Sequence, residues 1–268
     1  MTVEENPVLR SLRSHRSVRR FTSEPITEEE LTTILETAQR ASTSSNLQAY
    51  SVIAVRDPER KRKLAAVSGN QQQIIDCSVF LAFCADLNRG KLLCEQAGYE
   101  FEARFAEMII MSIVDVTIFA QTTLAAAEGM GLGGCFIGSA RNHPFQIAEI
   151  LGLPPLVFLT FGMTLGHPDT AHVPILRPRL PQKAVVHREQ YDASNWTEAH
   201  REYDEAMKRT GIYDGRRIDL SSRLPGWSER TPEGAYGWIE HSARRWIDPA
   251  ASRPDVRPFL DQQELGLE

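Results

Sequence analysis

Cysteine is scarce in this chain, and what there is has no metal or redox pattern. The four residues, Cys77, Cys84, Cys94 and Cys135, form no C-x-x-C pair and fit no zinc template. The seven histidines are scattered, with no H-x-x-x-H pair, so no metal site is inferred. A G-x-S-x-G elbow and a P-loop are both absent, which leaves hydrolase and nucleotide-triphosphate chemistry without support. Basic excess is missing too: 30 Lys and Arg stand against 35 Asp and Glu, a net charge of −5, with no basic arm. Nucleic acid is therefore not an expected partner. The opening MTVEENPVLR is polar and acidic, unlike a signal peptide. No uninterrupted apolar run of about 18 residues occurs, so no membrane span is expected. Cys77 and Cys84 read as members of one strand, an odd number of residues apart and so on opposite faces. Reduced core thiols in a cytoplasmic protein account for them most simply.

What is present is enough apolar material for a sizeable core: 42% of 268 residues. That length suits one large domain, or one domain with a long extension. Asn6-Pro7 starts a helix carrying Val8, Leu9 and Leu12. Thr27 to Glu30 forms a capping box, and the helix it opens runs to about Arg40 and buries Leu31, Ile34, Leu35 and Ala38. ASTSSNLQ reads as a loop. Strands are expected over 49–56, 77–87, 133–138 and 156–166, the second apolar at nearly every residue and hence buried on both faces. A short charged helix is expected over 59–67, and Pro144 begins a further helix. One long helix is expected over 99–128, apolar almost all round and in need of cover on all sides, with Gly129 as its C-cap. Beyond Gly166, HPDTAHVPILRPRLP has four prolines in fifteen residues and reads as an ordered extended arm or a linker. Helical character returns at 196–210 and about 232–247.

Five stretches invite a chemical reading. Gly129-x-Gly131-x-Gly133-Gly134 suggests a dinucleotide loop, but its order is helix, glycines, strand. The pyrophosphate-binding turn requires the reverse, so these glycines are read as a helix exit and strand entry. HRSVRRF (15–21) concentrates three arginines and a histidine in an acidic chain. It is either a solvated loop or a clamp for a dianion such as phosphate, which the guanidinium fork grips through two oxygens. Arg177-Pro178-Arg179 is a second segment of that kind. Its arginines point the same way if extended, and its prolines limit the entropy lost on ordering. Thr43 to Gln48 supplies short hydroxyls and amides, suited to polyol and heterocycle edges or simply to a turn; Asn70 to Gln73 is similar.

In order and content the chain resembles the nitroreductase family of FMN enzymes, in the group of NADPH-dependent oxygen-insensitive nitroreductases and NADPH:flavin reductases. The resemblance runs from about Ser14 to His187. Its carriers are HRSVRRF with PIT, ASTSSNLQAYSVI, SGNQ, VFLAFCADLNR, GLGGCFIGSARN, FGMTLGHP and RPRLPQKAVVH. It implies an α+β fold, a central mainly antiparallel sheet flanked by helices, in an interwoven homodimer with FMN at the subunit interface. Residues 1–187 would be the FMN-binding core with its extended arm. Residues 188–268 would be a helical excursion that packs on the dimer and covers the active site. His15, Arg16, Ser17 and Arg19, with Arg177 and Arg179, would hold the FMN phosphate and ribityl chain. Thr43, Ser44, Ser45, Asn46 and Gln48 would line the flavin, the first three from the partner chain. Gln71 would reach the ribityl or ring region. Phe136, Ile137, Gly138 and Ser139 would pass beneath the ring.

The implied activity is a ping-pong, two-electron transfer from NADPH or NADH through FMN to a nitroaromatic, a quinone or free flavin. The flavin carries the redox chemistry, so no side-chain nucleophile is needed. Glu107 either borders the substrate or is a helix-surface carboxylate. Arg209, Arg216 and Arg217 either bind the nicotinamide nucleotide phosphate or form an exposed basic insert. Three positions depart from the family pattern: Asn46 replaces an aromatic, Ser139 a glycine and Arg177 a lysine. With the insert at 218–238, they motivate a second reading, a dedicated reductive dehalogenation or biosynthetic reduction. A flavin-binding protein without enzyme activity is the third.

Overall fold

The computed structural model describes residues 6–220, 236–247 and 253–265, and they fall into two compact units. The first comprises Met1–Pro174 with Arg253–Glu268, the second Ile175–Ser252. Much of the insert at 218–238 lies outside the described residues, as does the start of the helix expected from 232.

The first unit is built on one sheet of four antiparallel strands in the order β1-β2-β4-β3: β1 (Tyr50–Val55), β2 (Val79–Asp86), β3 (Gly133–Ile137) and β4 (Val157–Gly166). All eight residues of β2 are buried, as its unbroken apolar run demands. Helix α1 (Pro7–Arg13) starts at Asn6, whose side chain accepts the N–H groups of Val8 and Leu9. None of its residues is buried, and Val8, Leu9 and Leu12 face outward. Helices α3 (Pro58–Val67) and α7 (Pro144–Leu151) lie over the core that contains Phe80, Ile137 and Ile147.

Helix α2 (Glu28–Ala38) begins at the capping box read from the sequence. Glu30 N–H donates to Thr27 Oγ1 at 3.1 Å, and Thr27 N–H donates back to Glu30 Oε2 at 2.8 Å. The backbone N–H and then the hydroxyl of Thr27 hold the Glu30 carboxyl below its usual range. A carboxyl lowered on folding contributes stability above its ordinary value near 4.5, and loses it as pH falls through the folded value. Thr27→Ala should cost about 1 kcal/mol in urea unfolding at neutral pH and flatten stability against pH in that acidic window.

Several expectations need correction. The long helix does not begin at 99. Helix α5 (Asn88–Ala97) comes first and ends at Gly98, which takes φ 79; α6 then runs from Ala106 to Gly129. Gly129 is not the cap: Met130 occupies that place, and Gly131 takes the left-handed conformation at φ 81. Helices α4 (Gln72–Asp76) and α10 (Val256–Gln262) had no clear sequence signal. Helix α6 is also long and apolar enough to cross a membrane by length and composition, with a mean hydropathy of 1.7 over its most apolar window. Unbroken run length missed this because Ser112, Asp115, Thr117 and Gln121 interrupt it. One side of α6, including Val116, Phe119, Ala120 and Leu124, packs in the core with Leu81, Phe83 and Met163.

Cys77 is not in β2. It follows α4 as that helix's C-cap and shares one core cluster with Cys84, so the two do not face opposite sides. All four cysteines are free thiols, and only Cys94 is not buried. Burial pushes the Cys77 and Cys84 thiols up to about 12. At pH 8 a thiol reagent should titrate Cys94 alone in the native protein, and all four cysteines after denaturation.

In the second unit, α8 (Trp196–Lys208) packs against α9 (Trp238–Ile247). Asp204, buried on α8, accepts the Ile239 N–H at 2.8 Å and pairs with Lys208 at 2.9 Å.

Candidate cofactor site

The arginine segment leaves α1 and runs beside the sheet edge. Ser17 forms a parallel bridge with Gly134 of β3, and Val18 N–H donates to Gly134 O at 2.9 Å. Phe21 bridges Pro168 beyond β4. The segment is thus fixed as an added strip of backbone, not a free loop. A side chain at Gly133 would strike Val18 Cγ2 at 2.5 Å, so this close approach requires glycine.

Within the strip, His15 Nδ1 lies 2.7 Å from Glu128 Oε1 at the end of α6. Arg16 is half-buried, and its Nε is buried with no hydrogen-bond partner. An enclosed guanidinium N–H without a partner is costly unless an acceptor from outside the chain takes it. Arg16 and Glu128 line a cavity of about 220 Å³ with Ser14, Gly131 and Asp169. Arg19 is exposed and donates to Ser17 O at 3.2 Å.

The far end of β3 holds a second group. Phe136 is exposed and meets Phe161 edge-on, with ring centroids 5.2 Å apart. Ile137 is buried, and Gly138 and Ser139 enter a short 3₁₀ turn. Gln71 Nε2 donates to the Ser139 hydroxyl and also to Ser68 O, and Gln73 donates to Gln71 Oε1. Two residues singled out from separate motifs, Gln71 and Ser139, thus meet. Gly134, Ser17's partner, lies three residues before the end of β3 at Ile137, roughly 10 Å of extended chain, and Ser139 stands just past that end in the turn.

The hydroxyl loop is elsewhere. Thr43 precedes a 3₁₀ turn over Ser44–Asn46, and Ser44 N–H donates to Asp115 Oδ1 at 2.9 Å. Ser45, Asn46 and Gln48 all take positive φ, at 47, 56 and 52. Left-handed backbone at non-glycine residues costs free energy and clusters at functional sites. Asp115 and Glu128, the α6 anchors of this loop and of His15, stand about 20 Å apart at about 1.5 Å of rise per residue. Within one chain the loop therefore does not join the arginine strip. Glu107 is exposed in the first turn of α6, farther still from His15.

Arg177, Arg179, Arg209, Arg216 and Arg217 are all exposed in the second unit. Burial raises the Tyr213 hydroxyl above its ordinary range, against the opposing charges of Arg177 and Arg216. Those two arginines therefore share a neighbourhood. Burial, followed by Arg245 and Arg216, lowers His241. Sequence reasoning did not single out Glu128 or Asp115. Their one visible signal was acidic residues set into an otherwise apolar helix. No group of three or more metal-ligating side chains occurs among the described residues.

A model of the nitroreductase family matches residues 12–167, and one of that family's C-terminal domain matches 177–268. The chain belongs to the nitroreductase family. The NADPH-flavin oxidoreductase of Vibrio harveyi is 36% identical over 261 residues, 97% of this chain and 99% of the relative. The FMN reductase (NADPH) of Bacillus subtilis is 41% identical over 191 residues, 70% of this chain and 76% of the relative. Among solved structures, nitroreductase A from Vibrio parahaemolyticus superimposes with a TM-score of 0.84 at 36% identity, covering 98% of this chain and 99% of that one. As a nitroreductase-family fold, the sheet and its helices are the expected α+β arrangement, antiparallel throughout.

Proposed function

We propose that this chain is an FMN-dependent NAD(P)H oxidoreductase that passes two electrons to an electron-poor acceptor such as a nitroaromatic, a quinone or free flavin. The observation that carries this reading is Arg16: a guanidinium Nε, buried and without a protein partner, in a strip bonded along β3. A phosphate monoester fits that vacancy in charge and in acceptor geometry. His15, Ser17 and Arg19, with Arg177 and Arg179, complete the anion-binding set. Gln71, Phe136, Ile137, Gly138 and Ser139, gathered at the far end of β3 roughly 10 Å of strand from Gly134, suit the flat end of an elongated ligand. FMN, when bound, supplies the hydride-accepting ring; the protein's part is to hold its phosphate, orient the ring and keep the opposite face open.

Thr43, Ser44, Ser45, Asn46 and Gln48 line the flavin, the first three of them across the interface of an interwoven homodimer. Two features support this. The loop stands about 20 Å along α6 from the arginine strip. The outward side of α6 also carries Ile110, Ile113, Val114 and Ile118, all exposed at helical spacing. Residues 1–187 form the FMN-binding core and arm, and 188–268 cover the site. Arg209, Arg216 and Arg217 receive the nucleotide phosphate, and Glu107 borders the acceptor. Free thiols fit a cytoplasmic location. A dedicated acceptor is the second reading, favoured by Ser139, whose hydroxyl is engaged with Gln71.

The test is anaerobic stopped-flow reduction with NADPH and with NADH, watching flavin absorbance. The purified protein should be yellow and bleach rapidly with at least one nucleotide. Folded protein that neither carries nor takes up FMN would sink the reading.

A further inference from the structure

We propose that Glu128 is a positioning residue for the cofactor phosphate, acting through His15. This rests on the FMN reading above. Glu128 Oε1 lies 2.7 Å from His15 Nδ1, and the carboxylate side chain is only 12% exposed. A carboxylate can only accept here, so Nδ1 carries the hydrogen. Nε2 is then the ring's other polar atom, and with a proton of its own it presents N–H to the phosphoryl oxygens. A carboxylate behind an imidazole fixes the ring's orientation, as second-layer carboxylates do behind ligating histidines.

Glu128 is in the last turn of α6, a helix of 24 residues. Backbone dipoles there disfavour negative charge. A half-enclosed carboxylate at that end is unfavourable for the helix and is offset locally by His15. Arg16, which lines the same cavity, keeps its Nε unpartnered. Glu128 thus engages the imidazole and leaves that guanidinium N–H for the ligand.

The test compares FMN with riboflavin, which lacks only the phosphate, by fluorescence titration of apoprotein. Four proteins are used: wild type, Glu128→Gln, His15→Ala and the double variant. Glu128→Gln keeps an oxygen acceptor but removes the charge. It should weaken FMN about tenfold, the scale of one charge-assisted hydrogen bond, and change riboflavin by less than about twofold. Thermal stability should stay level or rise, because the dipole conflict is relieved. The double variant should be no weaker than His15→Ala, since Glu128 acts only through the ring. Loss of both flavins in parallel, or additive losses in the double variant, would overturn the proposal. Retention of the wild-type FMN-to-riboflavin ratio in Glu128→Gln would do the same. Wild-type protein that binds neither flavin would take down the cofactor reading itself, an outcome distinct from those three.

Discussion

Arg16→Ala should lower FMN affinity about 100-fold, with riboflavin affinity nearly unchanged. The wild-type side chain is held beside β3 with its Nε already desolvated and unpaired. Much of the cost of enclosing that N–H has therefore been met in folding, and little further dehydration opposes its bond to a phosphate oxygen. Two charge-assisted bonds from one planar fork are lost together when it is removed. Arg16→Lys separates charge from shape. An ammonium keeps the positive charge as a point and cannot span two oxygens, so about tenfold of the loss should remain. Fluorescence titration of apoprotein reads both variants. Equal binding of FMN by wild type and Arg16→Ala would show that the vacancy serves something else.

Gly162→Ala should destabilise the protein by about 2–3 kcal/mol, the scale of overpacking in a core that cannot relax. Gly162 lies on β4 opposite Ala82 of β2 and Ile137 of β3, in the middle of the sheet. A Cβ there would overlap the Phe80 ring, and Phe80 is wholly buried. The ring cannot swing into solvent, and the strands on both sides are fixed by ladder hydrogen bonds, so the strain spreads into the sheet. The midpoint of urea unfolding should fall with little change in slope. Gly162→Ala combined with Phe80→Leu should recover about half of the loss, because the smaller side chain vacates the volume that the methyl needs. Additive losses would show that the glycine is required for its backbone and not for space.

Local chemistry was readable wherever a residue's effect acts within a few positions. Asn6 with Pro7, and Thr27 with Glu30, start helices through bonds of two or three residues' reach, and both starts occur as expected. The unbroken apolar run of β2 required burial on both faces, and it is buried. The glycine-rich stretch lies after a helix and before a strand, which is enough to reject a pyrophosphate loop. Signals failed where distant neighbours decided. Gly98 ended a separate helix, α5, just before the start expected for the long one, and the exit from α6 passed to Met130 and Gly131 because the entry into β3 sets that geometry. Cys77 fell outside β2 because α4, a helix of five residues, was too short to show a period.

The sequence by itself determined that this chain has a sheet core, an acidic surface and a short basic segment fit for a dianion, because composition, caps and charge spacing act locally. Only the tertiary structure decided that this segment is pinned along β3, that Gln71 meets Ser139, and that Glu128 stands behind His15. Those pairings join residues far apart in the chain. Hydrogen-bond reach is a property of space, and spacing along a sequence does not encode it until strands and helices have set the distances.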